Sequence, residues 1–252
     1  MRRLVLIGLL ALALPPAAGA GDVQLGYRLF GQYCVACHGV AGSGVPHGRV
    51  IGTGPRRAPR QQLGLAPSLR GVGALAADFY LRTGYMPLAH VGLQPRRKRV
   101  FFDETQLQAL IAYVASLGPG PSVPRPHHER GSLSEGMHLF TDHCAGCHQI
   151  VAEGGYVTGA LPPSLENATP TQVAEAVRIG PYVMPRFSRK ALSESQLDSI
   201  VRYVEYAKHP DDRGGWAIGH LGPIPEGLVT WFIGMTALVA CCVVIGRRLK
   251  DG

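Results

Sequence analysis

Cys34-Val35-Ala36-Cys37-His38 and Cys144-Ala145-Gly146-Cys147-His148 are one five-residue pattern written twice, 110 residues apart. Thiols three residues apart on a helical turn lie on the same face. The histidine that follows stands beside them. This spacing suits a tetrapyrrole: the thiols bond its two vinyl groups, and the imidazole meets its iron from one side. A thioredoxin-like dithiol needs a βαβ setting and gives the histidine no part. A zinc site built from both motifs would have to bring them together, and it leaves the surrounding repetition unexplained. The motifs therefore read as attachment sites for two covalently bound haem c groups. Cys34, Cys37, Cys144 and Cys147 are the thioether positions, and His38 and His148 the proximal iron ligands.

The surroundings of the motifs repeat too. Gly26-Tyr27-Arg28-Leu29-Phe30 precedes the first and Gly136-Met137-His138-Leu139-Phe140 the second. Leu65-Ala66-Pro67-Ser68-Leu69 matches Leu161-Pro162-Pro163-Ser164-Leu165. Leu107, Leu110, Ile111 and Val114 form a helical stripe. Leu197, Ile200, Val201 and Val204 repeat it, with Tyr113 and Tyr203 at the same point. Each unit reads as a starting helix, haem motif, Pro-rich loop, short helix, distal loop and closing helix. The fold class is all-α: two tandem c-type cytochrome domains. Units this small build little core unaided, so the haem supplies it.

A haem iron so held takes a second axial ligand from downstream. Of the five methionines, Met1 is the initiator, Met137 precedes its own motif, and Met235 lies in a long apolar run. Met86 and Met184 remain, each followed by proline and each just before a closing helix. A stiff loop presenting a thioether is what the site requires, and Met/His ligation raises the potential. His90 is the competing ligand for the first iron and reads better as a loop histidine. Arg82 and Arg178 precede the two methionine loops, as propionate partners or as solvated helix ends. Pro67 and Pro163 stand where a carbonyl could accept the Nδ1 proton of His38 or His148.

The two ends are membrane signals. Residues 1–20 have a basic start, an apolar run of about 11 residues and a small-residue end, the layout of a cleaved signal peptide. A retained anchor is the alternative, but the run falls short of the ~20 residues that span a bilayer. Residues 227–246 read as a transmembrane helix carrying Trp231 near one end. The basic tail 247–252 then places the C-terminus in the cytoplasm and the haem domains outside. Cys241 and Cys242 read as small apolar residues within that helix. Domain 1 spans 22–118, a Pro-rich semi-rigid linker 119–131 with solvated His127 and His128 follows, domain 2 spans 132–210, and a Gly/Pro linker 211–226 leads to the membrane. The first unit's extra length lies mainly in residues 42–60, a loop able to cover a haem edge or meet a partner.

The chain's 25 Lys and Arg outnumber its 17 Asp and Glu, but five of those bases sit at the ends. The middle is only mildly basic, and about four propionates offset it, so nucleic acid is not expected as a partner. The dense run Arg96-Arg97-Lys98-Arg99 reads as a solvated loop, or else a docking patch for an acidic partner.

This layout resembles the dihaem cytochrome c subunit of the actinobacterial menaquinol–cytochrome c reductase, the cytochrome bcc complex. The resemblance covers nearly the whole chain. Its particular features are Gly214-Gly215-Trp216-Ala217-Ile218-Gly219-His220-Leu221-Gly222-Pro223 and the Met86-Pro87-Leu88-Ala89 loop with the Pro-Arg-Arg-Lys stretch at 95–98. It implies that the first domain takes electrons from a Rieske iron–sulfur protein and the second passes them to an aa-type oxidase, with quinol oxidised on a cytochrome b subunit. The chain would be a subunit of a quinol–cytochrome c reductase (a translocase), not itself a catalyst of bond chemistry. Other readings are the dihaem subunit of a cbb-type oxidase, which anchors by an N-terminal helix, and the haem subunit of a periplasmic dehydrogenase, which commonly has three motifs. A dihaem peroxidase needs a displaceable sixth ligand, whereas both repeats offer a methionine.

Overall fold

The computed structural model describes residues 22–44, 66–88, 94–211 and 223–250. Expectations for the signal peptide, most of the 42–60 loop, His90 and most of the 211–226 linker lie outside the described residues. Among those described there are nine α-helices and no strand, only the isolated bridge between Val157 and Ala160.

In the first repeat α1 (Val23–Tyr33) runs into the short α2 (Val35–His38), then α3 (Gly73–Arg82) and α4 (Glu104–Ser116). The second repeat follows the same order: α5 (Leu133–His143), α6 (Ala145–His148), α7 (Pro170–Ile179) and α8 (Glu194–Lys208). The helix starts are chemically marked. Asp22 caps α1 through the Gln24 and Leu25 amides. Asp103 with Gln106, Thr169 with Gln172 and Ser193 with Gln196 close reciprocal capping boxes on α4, α7 and α8, each satisfying amides that the helix leaves unpaired.

Each repeat has its own core, and the starting and closing helices cross within it. Both expected stripes are buried there. Phe30 packs on Tyr113 and Phe140 on Tyr203, with ring centroids 5.1 Å apart in both pairs. The crossings are closest at Gly26 and Gly136. A methyl on Gly26 would fall on the Ala109 carbonyl, and one on Gly136 on the Ser199 carbonyl. The repeated Gly-x-x-x-Phe thus encodes a contact: glycine lets the backbones meet and phenylalanine fills the space one turn on.

The linker is not a free spacer. The Pro121 carbonyl accepts from the Leu75 amide at 3.1 Å, and Asp198 accepts from the His127 amide at 2.7 Å. His127 and His128 lie 3.3 and 3.9 Å from the Glu129 carboxylate, which they share. Helix α9 (Pro223–Lys250) follows. Its stretch Gly227–Lys250, 24 residues containing an 18-residue window of mean hydropathy 2.4 with no burial, is long and apolar enough to cross a bilayer. At 1.5 Å per residue it reaches about 36 Å, against ~30 Å of hydrocarbon.

The two repeats touch through α3 and α7. Gln94 bonds the backbone of Leu161 twice, as donor to its carbonyl (2.7 Å) and acceptor from its amide (2.8 Å). Arg97 donates to Gln172 at 2.7 Å. Between them Glu175 is fully buried, with neither carboxyl oxygen hydrogen-bonded. Burial, and then the Asp78 carboxyl opposite, push its pKa up to about 9, with Arg82 pulling the other way. Its neutral form can donate toward Asp78, which replaces repulsion between two carboxylates by one shared proton. An unfolded glutamate ionises near 4.5. Below that pH both states hold the proton. From 4.5 to 9 only the folded state holds it, so stability falls as pH rises, and the decline ends above 9. Melting temperature should therefore drop from pH 5 to pH 9, and Glu175→Gln should flatten that slope. Equal slopes in both proteins would refute the assignment.

Candidate haem sites

In each repeat the motif hangs on the end of the starting helix. The Cys34 and Cys144 amides still donate to Phe30 and Phe140, at 2.9 and 2.8 Å, and the next helical turn carries the histidine. The backbone then turns through positive φ at Gly39 (72°) and at its counterpart Gln149 (59°). Six residues after each histidine, the amides of Gly44 and Gly154 donate back to the His38 and His148 carbonyls, at 2.7 and 3.0 Å. Both glycines have positive φ. A Cβ there would meet the Pro67–Ser68 and Pro162–Ser164 backbone at 2.6–3.1 Å. These glycines bring the Pro-rich loop against the motif. Sequence reading did not single them out, although their common spacing from the histidine was available.

The consequence is a fixed imidazole. His38 Nδ1 lies 3.0 Å from the Pro67 carbonyl and His148 Nδ1 3.1 Å from the Pro163 carbonyl. Burial pulls both rings below the usual histidine pKa, opposed only in part by that hydrogen bond. A neutral ring facing a carbonyl, which only accepts, keeps its proton on Nδ1 and leaves the Nε2 lone pair free. The expectation for Pro67 and Pro163 is met. Burial also raises Cys34 to about 11 and Cys144 to about 12. A dithiol redox motif works through a lowered cysteine pKa, and burial here acts in the opposite direction.

In the second repeat Cys144, Cys147, His148 and Met184 line one cavity of about 1210 Å³ including its open mouth. Its walls are otherwise largely apolar, with Phe140, Val173 and Ile200 among them. The largely apolar lining and the converging cysteines, histidine and methionine fit a tetrapyrrole, and the free Nε2 supplies the donor its iron needs. Met184 packs against the second core, and its amide donates to the Pro181 carbonyl at 3.1 Å. In the first repeat Met86 follows α3, its amide 3.0 Å from the Tyr80 carbonyl. Residues 45–65 and 89–93 of that repeat lie outside the described residues.

Arg82 and Arg178 are engaged within the protein rather than left as solvated helix ends. Arg82 makes a bidentate pair with Glu104, 2.7 Å on both sides, and a 2.9 Å bond to Asp78. It holds the Glu104 carboxyl down at about 2. Arg178 bonds Glu194 at 2.9 Å and the carbonyls of Phe187, Leu192 and Ser193 at 3.3, 2.8 and 3.4 Å. In both repeats the arginine before the methionine loop clasps the first-turn glutamate of the closing helix. The loop's two ends are tied together.

The class these features define is a chain of two c-type cytochrome domains, whose cofactor is covalently bound haem c. Residues 23–118 match the family model described as Cytochrome c. Residues 131–204 match the one described as Cytochrome C oxidase, cbb3-type, subunit III. Curated relatives span far more of the chain than either. The chain is 37% identical over 236 residues to the cytochrome bc1 complex cytochrome c subunit of Mycobacterium tuberculosis, covering 90% of this chain and 78% of that one. It is 32% identical over 246 residues to the subunit of the same name from Corynebacterium diphtheriae, covering 90% and 81%. It belongs to the family of cytochrome bc1 complex cytochrome c subunits. Among solved structures it is similar to a chain of the Kuenenia stuttgartiensis reducing HAO-like protein complex Kustc0457/Kustc0458, at TM-score 0.35 and 16% identity over 75% of this chain and 97% of that one.

The buried guanidinium and the exposed carboxylate of the Arg178–Glu194 pair should contribute unequally. Arg178→Gln strips three carbonyl bonds and should cost about 2 kcal/mol in urea unfolding. Glu194→Gln, at a half-exposed partner, should cost less than about 1 kcal/mol.

Proposed function

We propose that this chain is a membrane-anchored dihaem electron carrier. It relays electrons one at a time from the Rieske iron–sulfur protein of a quinol–cytochrome c reductase to an aa-type terminal oxidase. The observation that carries the reading is the doubled site itself. Two repeats of equivalent build are joined in one chain whose relatives, matched over 90% of its length, are named cytochrome bc1 complex cytochrome c subunit.

The haem, when bound, supplies one-electron iron chemistry. The chain's residues hold it. Cys34 with Cys37 and Cys144 with Cys147 are the thioether attachments, and His38 and His148 the proximal ligands, each ring oriented by its proline carbonyl. Met86 and Met184 are the distal ligands, on loops tied by Arg82 and Arg178. Residues 22–118 and 132–210 are the two haem domains, joined by 119–131. Residues 1–20 are a signal peptide, 211–226 a linker, 227–246 the membrane-embedded part of α9, and 247–252 a cytoplasmic tail. The three bases after the apolar stretch favour haem domains on the outer side of the cell membrane. Cytochrome b and the Rieske protein are the expected reductase partners, and the oxidase the expected acceptor.

Two measurements test this. Membranes solubilised gently and enriched through a tag on this chain should carry b and a haem bands beside the c band, with quinol-dependent oxygen uptake. A c band alone, without quinol activity, would withdraw the complex and leave a free carrier. Met184→Ala and Met86→Ala should each lower the potential of one c haem. The drop should be on the order of 0.1 V, a fraction of the ~0.8 V over which axial ligands act. An unchanged titration in both variants would refute the methionine ligands.

A further inference from the structure

The second repeat does not close its own cavity. Phe79, Thr83, Tyr85, Gln94, Pro95 and Arg97 of the first repeat line it as well. Arg97 is the only lysine or arginine among the described residues of that lining. It stands at the mouth, also facing the outer groove between the repeats. One Nη donates to Gln172 at 2.7 Å. Gln172 is itself held, its Oε1 accepting from the Thr169 amide at 3.3 Å and its Nε2 lying 3.5 Å from the Arg82 carbonyl. The guanidinium has five N–H donors, so its aim is fixed by one bond while most of its capacity remains.

A haem c brings two propionates into a largely apolar cavity. Carboxylates there need cations or hydrogen-bond donors. The arginines at the expected sequence positions, Arg82 and Arg178, are committed to Glu104 and Glu194. The planar fork of Arg97 matches a carboxylate in two-point contact.

We propose that Arg97, contributed by the first repeat, binds a propionate carboxylate of the haem in the second repeat. The proposal rests on the haem reading of the second site. It makes the second site a product of both repeats, and it gives one member of the basic run 96–99 an inward role. A positive charge there favours the reduced iron, which carries one positive charge fewer.

The test is a redox titration of the full chain in its solubilised complex, resolving the c haems. Met184→Ala identifies which midpoint belongs to the second repeat. Arg97→Gln should lower that midpoint alone, by about tenfold in the oxidised–reduced equilibrium, or about 59 mV for one electron. Arg97→Lys keeps the charge without the fork and should hold the drop to less than half. It also carries the test if Arg97→Gln does not accumulate. Arg96→Gln, at the neighbour that does not line this cavity, should leave both midpoints unmoved. An unmoved second midpoint in Arg97→Gln overturns the proposal, as does an equal shift of both haems or an equal effect of Arg96→Gln. A single c haem in the unmutated protein would instead overturn the dihaem reading, so the two failures are distinguishable.

Discussion

The close crossing of starting and closing helices is the constraint on which each repeat depends. At Gly26 and Gly136 the backbones approach until a carbonyl of the closing helix stands where a side chain would begin. The starting helix ends at the first motif cysteine, and the closing helix begins where the methionine loop ends. Fixing their crossing therefore fixes both sides of the space between motif and methionine. Phe30 and Phe140, each 1% exposed, seal it, and burying such a ring contributes about 1.5–3 kcal/mol. A side chain forced into the crossing would cost about as much through overpacking, so glycine and aromatic act as one device.

On that frame the two repeats diverge where they face each other. Asp78 lies four residues before Arg82 and bonds it, one turn back on the same helix. The position four before Arg178 is Ala174, with no exposed surface. The second repeat carries its acid one residue further on, at Glu175, and that step turns it onto the first repeat. Gln172 likewise serves twice: it completes the capping box of α7 and receives Arg97. The repeats share their internal clasp, arginine on glutamate, and differ in the groups that join them.

That division explains what could be read from the sequence. Motifs, proline carbonyls and stripes recur in the same order in both repeats, and a repeated pattern in a repeated context identifies its own role. The clasp made by Arg82 and Arg178 recurs as well, but its partners Glu104 and Glu194 are ordinary first-turn helix residues, acceptable there for dipole reasons alone. The joining residues have no counterpart to compare. Glu175 on a helix gives no signal of burial until α3 covers it. Gln94 and Arg97 sit in an irregular stretch where periodicity says nothing. The run 96–99 therefore read as one solvated block, and all four residues are exposed, yet Arg97 also reaches across to Gln172 of the second repeat.

The contact between repeats is polar, which is typical of domain interfaces that open. The forces on it oppose each other. Separation would return Glu175 to water and let it ionise, so above the ordinary carboxylate range the buried acid favours opening. Against that stand the paired Gln94–Leu161 bonds, the Arg97–Gln172 bond and a linker tied to both units. The tied linker keeps the two faces near each other, which reduces the entropy cost of closing them. The closed arrangement thus follows from this chain's own contacts. An arginine proposed to serve the neighbouring repeat's cofactor can do so only while that arrangement holds, which couples the electrostatics of the second site to the docking of the first.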